Sequence, residues 1–338
     1  MKLFLSKILA LALLILLFSC KNDQKNIQSE RKINTESTIK YAKGFDIQHF
    51  NNYIKITVKA PYQNSTEIFE FILTSNKSNT DLNTIQIPIN SIVVTSTTHI
   101  PMLELLQVEN RLVGFPNTGY ISSPKTRSLI AQGSVKELGH EESINTELLL
   151  DLKPDLVVGF SLNSNNKMFS VIEKLGIPVL LNGDWMEETP LGRAEWIKFF
   201  GVLFDKEKLA DSIFNDIEKN YLEAATIASK ATEKQTVISG GLFKDVWNLP
   251  AGDSFEATFL KDANTNYLWK DSKGKGSLSL NIENVFEKGK DADLWISPSY
   301  YKTLDQLNNA NVIYSKFVAF QSSNIFTYVN KQGEKGPK

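Results

Sequence analysis

From Ile92 onward the chain alternates short unbroken apolar runs with stretches of helical periodicity. Ile92-Val93-Val94, Leu112-Val113-Gly114-Phe115, Leu156-Val157-Val158-Gly159-Phe160 and Val179-Leu180-Leu181 show no polar alternation. Each therefore predicts a strand covered on both faces. Such strands separated by helices predict a layered α/β lobe over residues 89–187. Upstream the rhythm differs. Tyr53 to Lys59 and Ile68 to Leu73 alternate apolar with polar positions across a polar turn, which predicts an N-terminal hairpin segment with one wet face, residues 41–88.

Thr189-Pro190 offers an N-cap and a first-turn proline for a helix through Glu195, Trp196, Ile197 and Phe200. Asp205 offers another cap, and Leu209, Ile213, Phe214, Ile217 and Tyr221 recur at helical spacing after it. Roughly 25 residues at 1.5 Å each span about 38 Å, enough to bridge two domains. Residues 188–231 are thus expected to be a helical connector. The strand and helix rhythm then resumes over residues 232–338, through Val237-Ile238-Ser239, Leu294-Trp295-Ile296, Phe317 to Phe320 and Ile325 to Val329. The expected class is α/β: two layered lobes joined by one long helix, with a small N-terminal β accessory.

One phrase occurs twice. Asn145-Thr146-Glu147 leads through a short helical stretch to Asp155 and the apolar run Leu156-Val157-Val158; Asn281-Ile282-Glu283 leads in the same way to Asp293 and Leu294-Trp295-Ile296. The repeat predicts a duplicated helix-to-strand unit, one in each lobe. Two lobes of similar build, each with a Glu at the same place, suit a clamp better than a single-site catalyst. The plainer reading is that each Glu favours the positive end of its helix.

Composition narrows the function classes. With 37 Lys and Arg against 38 Asp and Glu, and arginines only at 31, 111, 127 and 193, no basic stripe exists for a nucleic-acid backbone. Lys2 and Lys7 lead into the apolar run from Ile8 to Phe18, which predicts an export signal over residues 1–20. That run ends at Ser19-Cys20, and Cys20 is the single cysteine, so no internal disulfide is expected. The polar residues 21–40 are expected to be a flexible tether.

Leu17-Phe18-Ser19-Cys20 resembles a bacterial lipoprotein box, which implies a lipidated Cys20 and a place on the cell-envelope membrane, at its periplasmic side or the cell surface. Leu152-Lys153-Pro154-Asp155-Leu156-Val157-Val158, Leu175-Gly176-Ile177-Pro178-Val179, Leu191-Gly192-Arg193-Ala194-Glu195-Trp196 and Ala292-Asp293-Leu294-Trp295 resemble substrate-binding proteins of ABC importers, in the class that handles iron-siderophores and cobalamin. The likeness covers about residues 90–330, with lipoproteins of the Bacteroidetes type nearest in build. It implies a ligand cleft between the lobes, and Glu147 and Glu283 docking on the two subunits of a permease that carries its ATPase subunits. It implies a monomer that captures a metal chelate, a ferric siderophore first, with a corrinoid such as cobalamin or haem as alternatives. No cofactor and no catalysis are implied. An exported α/β enzyme or a surface sensor is the alternative of a different class. Relatives continue with further helical sequence, so an exposed apolar face on the second lobe is expected.

A cleft of that kind calls for aromatic walls and a few polar groups. The candidates are Tyr120, Trp185, Trp247 and Tyr300 or Tyr301 in strand-end loops, with Ser254 in the polar loop Pro250 to Ser254. Arg193 joins them as the guanidinium an anionic chelate would need, or else as a surface salt bridge. Other chemistry is not supported. His49, His99 and His140 lack ligand spacing, and the latter two are expected to be solvated loop or cap residues. The run Lys273 to Ser277 lacks the phosphate-loop spacing, and no nucleophile elbow occurs. Glu141-Glu142 and Glu187-Glu188 read as solvated loop charge.

Overall fold

The computed structural model describes residues 37–76, 81–140, 143–164 and 167–327. Cys20 and the expected signal lie outside them. Among the described residues no helix is long and apolar enough to cross a membrane.

The N-terminal strands β1 (Phe45–His49), β2 (Ile54–Lys59), β3 (Ile68–Thr74) and β4 (Thr84–Gln86) form one sheet in that order. The expected hairpin is β2 with β3, in register from Ile54↔Leu73 to Lys59↔Ile68. It is widened by β1 on one side and β4 on the other.

The first lobe contains β5 (Ile92–Val94), β6 (Leu112–Phe115), β7 (Lys136–Glu137), β8 (Gly139–His140), β9 (Ser143–Ile144), β10 (Leu156–Gly159) and β11 (Val179–Leu181). A parallel sheet runs in the order β11-β10-β5-β6-β7. The unbroken apolar runs have the predicted cause. Ile92, Val94, Leu156, Val158 and Leu180 face one core, while Val93, Val157, Val179 and Leu181 face another. Alternate residues of one strand thus serve opposite faces of the sheet.

The second lobe contains β12 (Thr236–Ser239), β13 (Gly241–Phe243), β14 (Val246–Pro250), β15 (Asn266–Tyr267), β16 (Ser277–Leu280), β17 (Leu294–Ile296) and β18 (Ile325–Phe326). Its parallel sheet is β15-β12-β17-β18, and a second, antiparallel sheet is β13-β14-β16. Sequence reasoning missed the antiparallel sheet. The run from Phe317 to Phe320 is no strand: Val318–Gln321 is a short helix. Val312, Val318 and Phe326 are exposed on this lobe.

The connector is a set of helices. Thr189 caps Pro190–Glu195, its hydroxyl accepting from the Gly192 N–H at 3.0 Å. A break at Trp196 separates that helix from Ile197–Leu203. The long helix is Glu207–Ser229, 23 residues, or roughly 34 Å. Asp205 is not its cap, because its backbone is left-handed at φ 54°. The start of the long helix belongs to the first lobe through Ala210 and Phe214. Its far end belongs to the second, through the Tyr221 hydroxyl on Asp262 at 2.6 Å and the Asn264 amide on the Ala228 carbonyl at 3.1 Å.

Helices 190–203 also tie down the N-terminal sheet. Phe45 of β1 packs on Trp196 at 4.5 Å between ring centres, and Trp196 on Phe199 at 5.2 Å. Glu195 is fully buried, yet it accepts from the backbone N–H groups of Lys40, Tyr41 and Ala42 at 2.7–2.9 Å. Those bonds compensate a charge that would otherwise be costly to bury. Residues 37–40 are accordingly fixed rather than free tether: Ser37 also donates to Asp46, and Lys198 to the Thr38 carbonyl.

Candidate functional site

A cavity of about 460 Å³ lies between the lobes. Its first-lobe wall is built where β11 ends. The chain leaves Leu181, passes Asn182 and Gly183, and makes a 3-10 turn over Asp184–Met186 that presents Trp185 to the cavity. Trp185 stands edge-on to Phe160 at 5.7 Å, and its indole N–H is buried with no partner. Arg193 comes from the helix capped by Thr189.

The second-lobe wall follows β14. Ser254 caps the helix Phe255–Asp262, accepting from the Ala257 N–H at 3.2 Å, and so sets Phe255 at the cavity. Asp253 and the glycine-rich loop complete this wall through Lys275 and Gly276. Gly274 sits at φ +116°, which a side chain would strain.

Contacts cross the cavity. The Arg193 guanidinium lies 3.8 Å above the Phe255 ring, Lys275 forms an ion pair with Glu188, and the Thr258 hydroxyl donates to the Glu188 carbonyl at 3.1 Å. Lys275, and beyond it Lys43, hold the Glu188 carboxyl below its usual range. Arg193 has a different setting. It donates to the Trp185 carbonyl at 2.9 Å, its Nε is buried without a partner, and among the described residues it forms no ion pair. Burial lowers its pKa, opposed by the more distant Asp184, Glu187 and Glu256. The buried Nε therefore keeps a donor that the Trp185 carbonyl does not use.

The other expected ligand residues fall elsewhere. Trp247 lies within β14, fully buried and stacked on Trp295 at 5.3 Å, with its N–H on the Ser239 carbonyl at 3.0 Å. It is core, because the segment after Gly240 and Gly241 is a strand pair and not a loop. Ser254 is buried and spends its hydroxyl on the helix cap. Tyr120 follows β6, three strands from β11 in the sheet order, or roughly 14 Å at strand spacing. Tyr300 is 58% exposed and lines no part of this cavity. Phe255, Lys275, Gln63 and Asn64 were missed. Only Phe255 had a local signal, as the first residue after a serine N-cap.

Two further expectations are corrected. Glu187 is buried, accepting from the Lys43 and Gly44 N–H groups and from the Trp196 indole at 3.0 Å. The N-terminal segment folds over it, which sequence adjacency to Glu188 could not show. His99 is fully buried beside Phe200, whereas His140 is exposed near Asn117. Neither His99 nitrogen has a well-formed hydrogen bond, although Asn182 and Asp184 raise its proton affinity against a larger lowering by burial. No cluster of three metal-ligating side chains occurs among the described residues.

Outside the cavity the repeated unit is a structural repeat. Asn145 caps Thr146–Leu152 by accepting from the Leu148 N–H at 3.0 Å, and Asn281 caps Ile282–Gly289 by accepting from the Asn284 N–H at 2.9 Å. Glu147 and Glu283 each occupy the second helical position and are exposed. The aspartates repeat as well. Asp155 accepts from the Asn90 and Ser91 N–H groups and donates its own N–H to the Ser91 hydroxyl; Asp293 accepts from the Thr236 N–H and hydroxyl, and donates its N–H to that same hydroxyl.

Comparison with known proteins agrees with this architecture. Residues 92–331 match the family described as Periplasmic binding protein. An uncharacterized lipoprotein of Methanocaldococcus jannaschii is 27% identical over 252 residues, covering 72% of this chain and 60% of that protein's length. That relative is archaeal. A possible iron-binding (periplasmic solute-binding) protein of Staphylococcus epidermidis superposes with a TM-score of 0.56 at 19% identity, covering 71% of this chain and 90% of that one. The periplasmic heme binding protein HutB of Vibrio cholerae gives 0.57 at 17%, covering 70% and 89%. The chain belongs to the Periplasmic binding protein family, with that family's two-lobed α/β fold.

Proposed function

We propose that this member of the periplasmic binding protein family captures a ferric siderophore chelate between its lobes and delivers it to an ABC importer. In this reading it acts as a monomer held at the cell envelope by a lipid on Cys20, and binding, not catalysis, is its activity. The observation that carries the reading is the inter-lobe cavity, which Trp185 and Phe255 line with aromatic surface and where Arg193, stacked on Phe255, forms no ion pair among the described residues, beside the Lys275–Glu188 pair and Asp253. Apolar walls with a few directed polar groups suit a large chelate with an oxygen-rich surface. Neighbours described as iron-binding and heme-binding support a metal chelate as cargo. A corrinoid or haem is the alternative within the same class.

Titration of the full-length chain in detergent with ferrichrome, a ferric catecholate, haemin and cyanocobalamin, followed by tryptophan fluorescence, tests the reading and separates its alternatives. Saturable binding of a ferric siderophore is expected. No saturable response to any of the four would end it.

Docking is assigned to Glu147 and Glu283, on the permease subunits that the importer's ATPases drive. Both are exposed, at equivalent positions in the two lobes. Glu147→Ala with Glu283→Ala should leave chelate affinity unchanged and abolish uptake by cells. Uptake at the parent rate would refute the assignment.

A further inference from the structure

The cavity has a third wall that neither lobe supplies. Gln63 and Asn64, at the tip between β2 and β3, line it together with Asp253, Lys275 and Gly276 of the second lobe. The tip is fixed. Tyr62 is buried in the same apolar cluster as Val179 and Leu181 of β11, and the Ser65 N–H donates to the Tyr62 carbonyl at 3.1 Å. The backbone of Pro61 lies so close to Gly183 that a Cβ there would stand 3.0 Å from the Pro61 Cα. Asn64 holds a left-handed conformation at φ 58°. The N-terminal sheet is therefore anchored to the strand end that carries Trp185.

We propose that this tip is a specificity-determining part of the ligand site, in which the carboxamides of Gln63 and Asn64 read amide and hydroxamate groups on the edge of the bound chelate. The proposal rests on the ligand-binding reading above and narrows its substrate class. Lys275 is paired with Glu188, and the Arg193 fork, which only donates, selects anionic oxygens over an amide's mixed donors and acceptors. A carboxamide presents one acceptor and two donors in a plane, so a pair on a fixed turn distinguishes chelates by their peripheral hydrogen-bonding groups. A ferric hydroxamate with peptide amides satisfies both faces of such a pair. The carboxylate edge of haem offers acceptors only.

The test is Gln63→Ala with Asn64→Gly in the full-length chain, glycine keeping the positive φ. Ferrichrome affinity should fall about tenfold, the effect of two hydrogen bonds, while haemin affinity changes less than about threefold and the melting temperature stays put. Unchanged ferrichrome affinity, or an equal loss for both probes, would overturn the proposal. So would a parent chain that binds haemin but not ferrichrome, and that outcome would still leave a chelate-binding cleft. A parent that binds no chelate defeats the underlying reading and this proposal with it. If the double variant loses its cooperative melt, the single variants Gln63→Ala and Asn64→Gly provide the second measurement, since each removes one carboxamide and leaves the backbone of the tip as it is. The same selective loss is expected there, and unchanged ferrichrome affinity would overturn the proposal.

Discussion

Replacing Arg193 by methionine should weaken anionic ligands while leaving the empty fold nearly as stable as before. The side chain gives the ligand-free protein a stacking contact at 3.8 Å on Phe255 and one hydrogen bond to the Trp185 carbonyl, together about 2–5 kcal/mol. Against this stands a partly buried cation with an unpartnered Nε and no ion pair among the described residues, whose desolvation costs several kcal/mol. Methionine keeps the aliphatic stem and returns a sulfur contact to the ring, about 0.3–1.5 kcal/mol. The net change should stay within about 1 kcal/mol, or roughly 2–4 °C in Tm. A charge-assisted hydrogen bond to the ligand is worth about 1.5–3 kcal/mol, which is roughly 10- to 150-fold in Kd. Calorimetry of the empty protein and fluorescence titration with a ferric catecholate and with haemin measure the two quantities separately. A variant destabilised by more than about 3 kcal/mol that binds both probes as tightly as the parent would refute the reasoning, since Arg193 would then be a structural residue.

Other expectations follow from the same contacts. Trp247→Ala should cost about 3–5 kcal/mol in denaturant unfolding, because the indole is wholly inside the second core, whereas exchanging a cleft residue would cost far less. The Glu188–Lys275 pair should slow ligand release. Since the folded Glu188 pKa is depressed from 4.5, its contribution is complete above that value and lost as pH falls through the lowered one. Stopped-flow release should therefore accelerate in acid and in high salt, and Glu188→Gln should abolish both dependences. Burial depresses the His99 pKa below 6.5, with Asp184 the facing charge, so the unfolded chain takes up the proton first. Stability should fall as pH drops below 6.5, by up to about 1.4 kcal/mol per unit, and His99→Phe should flatten the urea-unfolding profile between pH 5 and 7.

Much of the frame was legible because it rests on local pattern. Val157 and Val158 are both apolar since neighbouring positions on a covered strand face two different cores, and Thr189-Pro190 starts a helix through chemistry contained in two residues. The site was legible only where a wall comes from one continuous stretch. Trp185 and Arg193 lie eight positions apart and reach the same cavity. Lys275 and Asn64 reach it through packing that no local pattern encodes. Glu187 looked like loop charge because the N–H groups that bury it belong to residues 43 and 44. Trp247 was misplaced for a related reason: an aromatic just past a strand end marks a cleft only when the chain turns into a loop, and here it turns into a neighbouring strand.

The repeated phrase allows the strongest inference about the outer surface, because its conserved chemistry within this one chain can be checked position by position. Asn145 and Asn281 each satisfy a helix N–H, a capping role worth about 1 kcal/mol. Asp155 and Asp293 each lock the start of a parallel strand through the same reciprocal pair of bonds with a hydroxyl residue, Ser91 or Thr236. Val157 and Val158, like Trp295, fill the cores. Once these roles are assigned, Glu147 and Glu283 are left over. Their carboxylates are exposed, and no hydrogen bond or ion pair among the described residues uses them. Proximity to the helix start favours any acidic residue there by about 0.3–1 kcal/mol, and aspartate would serve as well as glutamate. That term accounts for negative charge but not for the same longer side chain at the same position in both lobes. The docking proposed for Glu147 and Glu283 would account for both.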